Sequence, residues 1–262
     1  MTDNTHKKAR FIKDRDLRQG LDSLGVTLHA YRSIGSTNSE AKRYAAEKID
    51  RAPALFIAGE QTAGRGRVGR SFISRRGRGI YMTLLYFTES ELYSATSVTG
   101  AAAVATALAI EQVTGKEMKI KWVNDIYNGQ GKVCGILTEA VRCEDCYAIA
   151  VGIGINIGEG EMPEELRGIA SSIGAIEGRE TELILSIVKG LLDHVKEPDK
   201  ERYVPEYKKR LMLVGENVNI LRGGMIVGCG TVVGVDDDLG LIIDTPRGRE
   251  IMYSGEISIR KQ

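Results

Sequence analysis

A segment rich in arginine and glycine, Glu60 to Tyr81, constrains this chain more than any other part of its sequence. Arginine occupies positions 65, 67, 70, 75, 76 and 78, and no acidic residue occurs between Gln61 and Thr88. Such a concentration of positive charge is not buried without an anionic partner. Glycine lets main-chain N–H groups close around a ligand, and planar guanidinium groups supply donors that suit carboxylates and phosphates. The segment therefore predicts a mobile anion-binding loop.

Two nucleotide-binding motifs match this loop by letter but not in context. Residues 64–69 fit the G-x-G-x-x-G dinucleotide fingerprint, and residues 64–71 resemble a P-loop. Both motifs require a helix to begin there. The residues that follow contain Gly77 and Gly79 and show no helical spacing of apolar residues. An RGG-like nucleic-acid tail is also disfavoured, because strand-like apolar segments flank the loop on both sides.

Length and charge balance predict a globular protein with one large domain and a smaller one. The 262 residues are 42% hydrophobic and 27% charged, and the formal net charge is +1. Because the positive charge is local to the loop, the sequence favours a small anionic partner over nucleic acid. No apolar run is long enough to cross a membrane, and residues 1–18 lack the apolar core of a signal peptide. We therefore expect a cytoplasmic protein.

The cysteines do not predict a disulfide framework. There are four, at positions 134, 143, 146 and 229, and they are too few and too scattered for a chain of this length. Cys143 and Cys146 have the spacing of a redox or zinc pair, but a structural zinc site needs a second pair. The interpretation we favour is a hairpin tip with reduced thiols.

Apolar periodicity predicts a domain of mixed strands and helices followed by a small barrel. The predicted strands of the first domain are 26–31, 55–58, 80–87, 118–122, 133–141 and 147–157, and the predicted helices are 11–24, 37–49, 94–113, 181–195 and 200–213. Thr37 with Glu40 fits a capping box at the second helix. After Gly215, five short strands separated by turn residues predict a β-barrel. The resulting division is an N-terminal extension (1–25, disordered over 1–9), a main domain (26–214) and a barrel (215–262).

Several polar residues lie at predicted element ends and have two interpretations each. Ser36 to Asn38 either cap a helix or also hold a polar ligand group. Asn124-Asp125 is either a turn or part of a Mg²⁺-nucleotide site. Lys132 begins a strand and is either solvated or functional. The glycine-interrupted strand 152–158 indicates close approach by another element or a ligand.

Taken together, these motifs resemble the biotin protein ligase family. In the family's order they are Ser36-Thr37-Asn38, GEQTAGRGRVGR (59–70), KWVND (121–125), GKVCGILTE (131–139), GIGINIG (152–158) and SGEISIR (254–260). The resemblance covers nearly all of the chain after about residue 26, and the conjunction is far more specific than any single motif. The chain departs from the family pattern at Val123, Thr83 and Phe72, where proline, serine and tryptophan are usual. These departures affect local geometry.

The resemblance implies a fold and a reaction. The fold would be α+β, with a mixed or antiparallel sheet packed with helices as in class II synthetases, plus a small SH3-like β-barrel. Such ligases use MgATP to convert biotin to biotinyl-5′-AMP and pyrophosphate, and a lysine of a biotin carboxyl carrier domain then takes the acyl group. No enzyme nucleophile is needed, so catalysis would consist of positioning and charge neutralisation.

The resemblance also implies a set of site residues. The catalytic residues would be Arg65, Arg67 and Lys132, and the metal ligand for Mg²⁺ would be Asp125. The biotin-binding residues would be Ser36, Thr37, Asn38, Gln61, Gly64, Arg65, Lys132, Gly135, Gly152 and Gly154. The ATP- or AMP-binding residues would be Arg67, Arg70, Lys121, Trp122, Asn124 and Asn156.

Expectations about partners follow from the same resemblance. Because there is no room for a winged helix before the first strand, we expect neither DNA binding nor the repressor role of some relatives. Nucleic acid and membrane are not expected partners, and a homodimer is compatible with the resemblance. Three alternatives stay open: a lipoyl protein ligase, an RNA-binding module that uses the arginine-glycine stretch, and a catalytically inactive scaffold.

Overall fold

The computed structural model describes residues 15–47, 51–89, 95–159, 162, 164–196, 200–222, 225–253 and 257–261. The disorder predicted for residues 1–9 and the end of the helix predicted to reach Ile49 lie outside this part of the chain. Within it, no helix is both long and apolar enough to cross a membrane.

A seven-stranded mixed sheet forms the centre of the fold. The strands are β1 (Thr27–Tyr31), β2 (Ala54–Ala58), β3 (Gly79–Thr88), β4 (Lys119–Lys121), β5 (Asp125–Tyr127), β6 (Lys132–Arg142) and β7 (Tyr147–Asn156). They lie in the order β1-β2-β3-β7-β6-β5-β4. β1 and β2 pair in parallel, and the other neighbours pair antiparallel. The long central strands β3, β6 and β7 therefore carry the surface on which a ligand site can be built.

Helices cover both faces of this sheet. They are α1 (Arg15–Ser23), α2 (Thr37–Glu47), α3 (Ala95–Thr114), α4 (Glu180–Lys196) and α5 (Lys200–Arg210). Strand alternation separates two cores, because successive side chains point to opposite faces. Leu55 and Ile57 of β2 join the large core with α1, α3 and α4, whereas Phe56 packs towards α2 with Ala41 and Leu85. The buried, uncharged helix predicted for 94–113 is confirmed as α3.

Residues after Gly215 form a second sheet. Its strands are β8 (Asn217–Arg222), β9 (Met225–Val235), β10 (Leu241–Thr245), β11 (Gly248–Met252) and β12 (Ile257–Lys261), in the order β11-β10-β9-β8-β12. All neighbours pair antiparallel. The five predicted short strands are confirmed to within a few residues, and the exact domain boundaries stay a prediction.

The segment between Cys143 and Cys146 is the tip of the hairpin that joins β6 to β7. The Cys143 N–H donates to the Cys146 carbonyl oxygen at 2.9 Å, and neither thiol is in a disulfide. The hairpin interpretation of this pair is confirmed.

The start of α2 differs from the predicted capping box. Ser36 is the cap, since its hydroxyl accepts the Ser39 N–H at 3.4 Å and its carbonyl accepts the Glu40 N–H at 3.1 Å. The Glu40 carboxylate instead pairs with Arg43. The capping prediction was wrong because the Thr37 hydroxyl has a tertiary partner, Gln61, at 3.0 Å.

Candidate active site

A cleft opens over the middle of the central sheet, between the N-terminus of α2, the arginine-glycine loop and the turn that joins β4 to β5. It encloses about 160 Å³. The residues that line it are Ser36, Thr37, Asn38, Gln61, Arg65, Gly66, Arg67, Arg70, Ser71, Phe72, Met82, Lys121, Trp122, Asn124, Asp125, Lys132, Gly135, Ile136, Leu137, Gly152, Ile153 and Gly154. Residues from five separate sequence motifs thus meet in one place.

One end of the cleft rests on uncharged polar groups, which we call the uncharged floor: Thr37, Asn38, Gln61 and Thr83. The Gln61 Oε1 accepts the Thr37 backbone N–H at 2.9 Å and the Thr37 hydroxyl at 3.0 Å. The Thr83 hydroxyl lies 2.8 Å from Thr37 Oγ1 and 2.6 Å from Asn38 Oδ1. Each hydroxyl carries one hydrogen, so two hydrogens serve three oxygen–oxygen contacts. Which oxygen each hydroxyl donates to therefore depends on how the side-chain amides of Asn38 and Gln61 are held.

The Gln61 Nε2 donates to the Ser74 hydroxyl at 2.9 Å, and the partners of the Asn38 amide lie behind the floor, on β6. The Asn38 Nδ2 donates to the Leu137 carbonyl oxygen at 3.1 Å and to Glu139 Oε2 at 3.0 Å. Both amide hydrogens are thereby used, and Oδ1 must face Thr83. Burial opposes ionisation of Glu139, but hydrogen bonds from Lys42 and Asn38 outweigh it and hold the Glu139 pKa below its ordinary value. Gly152 completes this arrangement, because a Cβ there would overlap the Asn38 amide.

The arginine-glycine loop is a narrow hairpin beside the cleft, not a helix. The Phe72 N–H donates to the Gly64 carbonyl at 3.0 Å, and the Gly66 N–H donates to the Arg70 carbonyl at 2.7 Å. A short 3₁₀ turn follows from Arg67 to Gly69. A side chain at Gly64 would overlap the Phe72 carbonyl, so the hairpin requires glycine at that position. The segment is therefore neither a dinucleotide fingerprint nor a P-loop, because no α-helix begins there, as the sequence predicted.

Three cations form the opposite side of the cleft, which we call the cationic wall: Arg65, Arg67 and Lys132. Lys132 Nζ lies 2.7 Å from Asp125 Oδ1. Arg67 Nη1 donates to Asn124 Oδ1 at 3.1 Å. Burial lowers the pKa of Arg67, and the Asp125 carboxylate opposes that shift. A guanidinium is not deprotonated in proteins, so Arg67 stays charged in a partly desolvated position.

The third cation, Arg65, connects the two ends of the cleft. Its Nη2 lies 3.6 Å from Glu139 Oε1, the carboxylate that also holds Asn38. The Arg65 side chain is 50% exposed. This long, half-exposed ion pair is weak, so Arg65 is available to an incoming anion.

An aromatic ring fills part of the space between floor and wall. A Cβ on Gly154 would lie 2.5 Å from the Phe72 ring, and one on Gly135 would lie 3.2 Å from it. The ring centroid is 6.0 Å from Lys132 Nζ. Gly135 and Gly154 therefore make room for the Phe72 ring. At Gly154 this is the close approach by another element that the glycine-interrupted strand predicted.

Comparison with known proteins supplies the family. Residues 30–156 match the model of the biotin/lipoate A/B protein ligase family, and residues 213–260 match that of the biotin protein ligase C terminal domain. The bifunctional ligase/repressor BirA of Bacillus subtilis is 30% identical over 97% of this chain and 81% of its own length. This chain belongs to the biotin/lipoate A/B protein ligase family.

Two further relatives of this ligase family extend the comparison. The biotin--[acetyl-CoA-carboxylase] ligase of Paracoccus denitrificans is 29% identical, over 85% of this chain and 96% of its own length. The solved structure of the biotin protein ligase from Aquifex aeolicus in complex with biotin and ATP superposes with a TM-score of 0.73 at 26% identity, covering 90% of this chain and 99% of that chain. The predicted α+β fold with a small SH3-like barrel is confirmed.

Most of the residues expected from the ligase resemblance line the cleft, and two do not. Gly64 lies within the loop hairpin, where its carbonyl accepts the Phe72 N–H and no side chain fits. The Asn156 side chain donates to the Ser171 carbonyl at 3.0 Å, and Asn156 is outside the cleft lining. This hydrogen bond anchors the loop after β7, and the expected contact of Asn156 with the nucleotide stays a prediction.

Several lining residues were absent from the predicted site. They are Gly66, Ser71, Phe72, Met82, Ile136, Leu137 and Ile153. Met82, Ile136, Leu137 and Ile153 lie on β3, β6 and β7, and Phe72 lies in the loop.

Asp125, the expected metal ligand, opens β5 directly after the 122–124 turn. Its carboxylate faces Lys132 rather than a second acid. In the described residues, no group of three or more His, Cys, Asp or Glu side chains could hold a metal ion. Mg²⁺ commonly takes one or two protein carboxylates together with substrate phosphates. The donor set fits a magnesium ion that arrives with a nucleotide, and it does not fit a metal held by the protein alone.

Proposed function

We propose that this chain is an ATP-dependent biotin protein ligase. It joins biotin to AMP and then transfers the biotinyl group to a lysine of a biotin carboxyl carrier domain. The observation that carries the proposal is the pairing of an uncharged floor with a cationic wall across one cleft. Biotin itself has an uncharged ureido ring at one end and a carboxylate at the other. Membership of the ligase family, and the relatives named for biotin, support this assignment.

The floor and the wall would receive different parts of the substrates. Ser36, Thr37, Asn38 and Gln61 would contact the ureido ring. Gly135, Gly152 and Gly154 would border the apolar part of biotin, together with the Phe72 ring and the Asn38 side chain that pack against them. Arg65 and Lys132 face the carboxylate. Arg67, Arg70, Lys121, Trp122 and Asn124 lie on the side where a nucleotide would bind.

In the first step, a carboxylate oxygen of biotin attacks the α-phosphorus of ATP. The bond between that phosphorus and the bridging oxygen breaks, and pyrophosphate leaves with its electron pair. Two anions must approach each other, so the main obstacle is electrostatic repulsion. Fixed cations in a partly desolvated cleft reduce that repulsion more than the same charges would in water. No proton transfer by a side chain is required in this step.

In the second step, the neutral ε-amine of the carrier lysine attacks the acyl carbon of biotinyl-5′-AMP. The carbon–oxygen bond to phosphate breaks, AMP leaves, and the new amide nitrogen loses a proton to solvent. Water competes with the amine for the mixed anhydride. The loop hairpin lies beside the cleft with Arg67 partly buried, which places charge and shielding in one segment.

Magnesium enters the proposal with ATP. The Asp125 carboxylate would hold it together with the phosphates, with Asn124 beside it, and the ion would supply further charge neutralisation. A homodimer and a cytoplasmic location belong to the same proposal, and sedimentation of the purified protein tests the former.

The direct test is biotin-dependent exchange of labelled pyrophosphate into ATP. We expect exchange with the wild-type protein, and a loss on the order of 100-fold in Arg67→Ala. Arg75→Ala is the matched control, because Arg75 lies in the same loop but pairs with Glu165 outside the cleft. We expect its exchange rate to stay within about twofold of wild type.

Two outcomes would contradict the proposal. Absence of exchange with biotin but exchange with lipoate would identify a lipoyl ligase. Equal losses in Arg67→Ala and Arg75→Ala would mean that the loop acts through its net charge and not through the cationic wall.

A further inference from the structure

A turn of the barrel reaches into the main domain behind the cleft. It joins β9 to β10 and runs from Asp236 to Gly240. Leu239, at its apex, is fully buried although the neighbouring Asp237 and Asp238 are exposed. Its φ is +61°. A bulky residue rarely adopts this left-handed conformation, so some contact must hold Leu239 there.

The contact is a slot between two helices of the main domain. A Cβ on Gly100 of α3 would overlap Leu239 Cδ1, and Tyr207 Cδ2 of α5 lies 3.6 Å from the same point. Position 100 therefore requires glycine, because the Leu239 side chain occupies the space that a Cβ would need. The Leu239 side chain anchors the barrel turn to α3 and α5.

The same residue holds a side chain of the cleft. The Trp122 Nε1 donates to the Leu239 carbonyl oxygen at 2.7 Å. The hydroxyl of Tyr207 donates to the carbonyl of Val123, the next residue, at 3.2 Å. Trp122 lines the cleft next to Asn124, the partner of Arg67. The turn between β4 and β5 is therefore fixed from behind by residues more than eighty positions later in the chain.

The barrel turn is itself well braced. Asp236 Oδ1 accepts the N–H groups of Asp238 at 2.9 Å and of Gly240 at 2.7 Å. Lys208 of α5 pairs with Asp237 at 2.8 Å, and Lys200 pairs with Asp238 at 2.5 Å. A turn held at both ends and at its apex can position a partner group, because it has little freedom of its own.

We propose that Leu239 is a positioning residue for the nucleotide side of the cleft: its side chain anchors the barrel turn, and its carbonyl oxygen orients the indole of Trp122. This inference rests on the proposed function for the identity of the nucleotide. It gives the barrel a part in ATP recognition that acts through Trp122. By reciprocity, ATP binding would also stabilise the docking of the barrel turn on the main domain.

Trp122 is the only tryptophan in the chain, so tryptophan fluorescence reports on the surroundings of this one indole. We would compare Leu239→Ala with Ile243→Ala, which removes a buried side chain from β10 inside the barrel. In Leu239→Ala we expect a red-shifted emission, a KM for ATP raised about tenfold and a KM for biotin within twofold of wild type. In Ile243→Ala we expect lower stability with emission and both KM values unchanged.

A second variant keeps the test decisive if Leu239→Ala does not fold. Trp122→Phe keeps an aromatic ring, although a smaller one, and the leucine anchor but removes the N–H donor, and we expect its KM for ATP to rise about threefold with the KM for biotin unchanged. Wild-type KM values for ATP in either Leu239→Ala or Trp122→Phe would overturn the inference. An equal rise of the KM for biotin would do the same, since it would indicate general disruption. Lack of exchange in the wild-type protein would instead count against the proposed function.

Discussion

The two ends of the cleft are held in place by different kinds of contact. In the uncharged floor, Thr37, Asn38 and Thr83 are 3%, 4% and 0% exposed, and they bond to one another. In the cationic wall, the side chains of Arg65 and Lys132 are 50% and 27% exposed. Each cation of the wall contacts a different acceptor of the chain: Glu139, Asn124 or Asp125.

Because of this difference, changes in the floor and in the wall should have different effects on biotin binding and on the reaction rate. Thr37, Asn38 and Thr83 of the floor are buried and bonded to one another without a ligand, so a change there should alter both folding stability and the affinity for the uncharged end of biotin. The contacts of the wall are ones that a carboxylate or phosphate can replace. A change in the wall should therefore alter the reaction rate and leave the free energy of unfolding nearly unchanged, because partly exposed ion pairs contribute little to it.

The largest expected effect is in the wall. Lys132→Met should lower the exchange rate on the order of 100-fold to 1,000-fold, since it removes a charge that offsets the approach of two anions. Its free energy of unfolding should change by less than about 1 kcal/mol. Steady-state exchange and urea unfolding of the same preparation measure the two quantities.

The matched control for this variant is Lys42→Met. Lys42 also pairs with a carboxylate, Glu139, at 2.6 Å, but it lies on α2 outside the cleft lining. We expect its exchange rate to stay within about threefold of wild type. Equal losses of exchange rate in Lys132→Met and Lys42→Met would contradict a special role for the cations of the wall.

The next largest effect is expected when a glycine beside the floor is replaced. Gly152→Ala would introduce a Cβ where the Asn38 amide lies. Asn38 would have to shift, and we expect the KM for biotin to rise at least about tenfold and the free energy of unfolding to fall by about 1–3 kcal/mol. Gly234→Ala, where a Cβ meets nothing within 4 Å, should be silent in both measurements. A silent Gly152→Ala would show that the floor is not rigid.

A smaller effect tests the hydroxyl at the centre of the floor. Thr83→Val keeps the shape but leaves Asn38 Oδ1 without the hydroxyl that faces it. We expect a loss of about 1–3 kcal/mol in unfolding free energy, from urea denaturation, and a higher KM for biotin. Thr83→Ser keeps the hydroxyl and should lose less than about 1.5 kcal/mol. If Thr83→Val lost no more stability than Thr83→Ser, the hydroxyl that faces Asn38 Oδ1 would not contribute as expected.

The sequence predicted the elements that carry the site better than the contacts within it. The strands around the loop, the buried helix α3 and the glycine-interrupted β7 were recognisable because their patterns are local. Ser36, Thr37 and Asn38 were placed at a helix start for the same reason. The arginines were identified by composition alone, because a loop without acids requires an anion.

Contacts between distant segments could not be predicted. Glu139 meets Asn38 across 101 positions, and Trp122 meets Leu239 across 117. The capping box of Thr37 and Glu40 was wrong because the Thr37 hydroxyl bonds to a tertiary partner, Gln61, that a local pattern does not reveal. The bond between Asn156 and the Ser171 carbonyl was likewise not visible in the sequence. Phe72 was noticed as a departure from the family, but its place against Gly154 depends on the path of the loop.

The smallest expected effect concerns the carboxylate that contacts both ends of the cleft. Because hydrogen bonds hold the pKa of Glu139 below the ordinary value of 4.5, its ionised form is favoured in the folded protein. A lowered pKa contributes stability that is fully present above the unfolded pKa and is lost as the pH falls through the folded pKa. The difference in unfolding free energy between wild type and Glu139→Gln should therefore be constant from about pH 6 to 8 and shrink below pH 4.5, by no more than about 1 kcal/mol. A difference that instead grew in acid would mean that Glu139 is neutral in the folded state, and the Asn38 amide would then be free to turn.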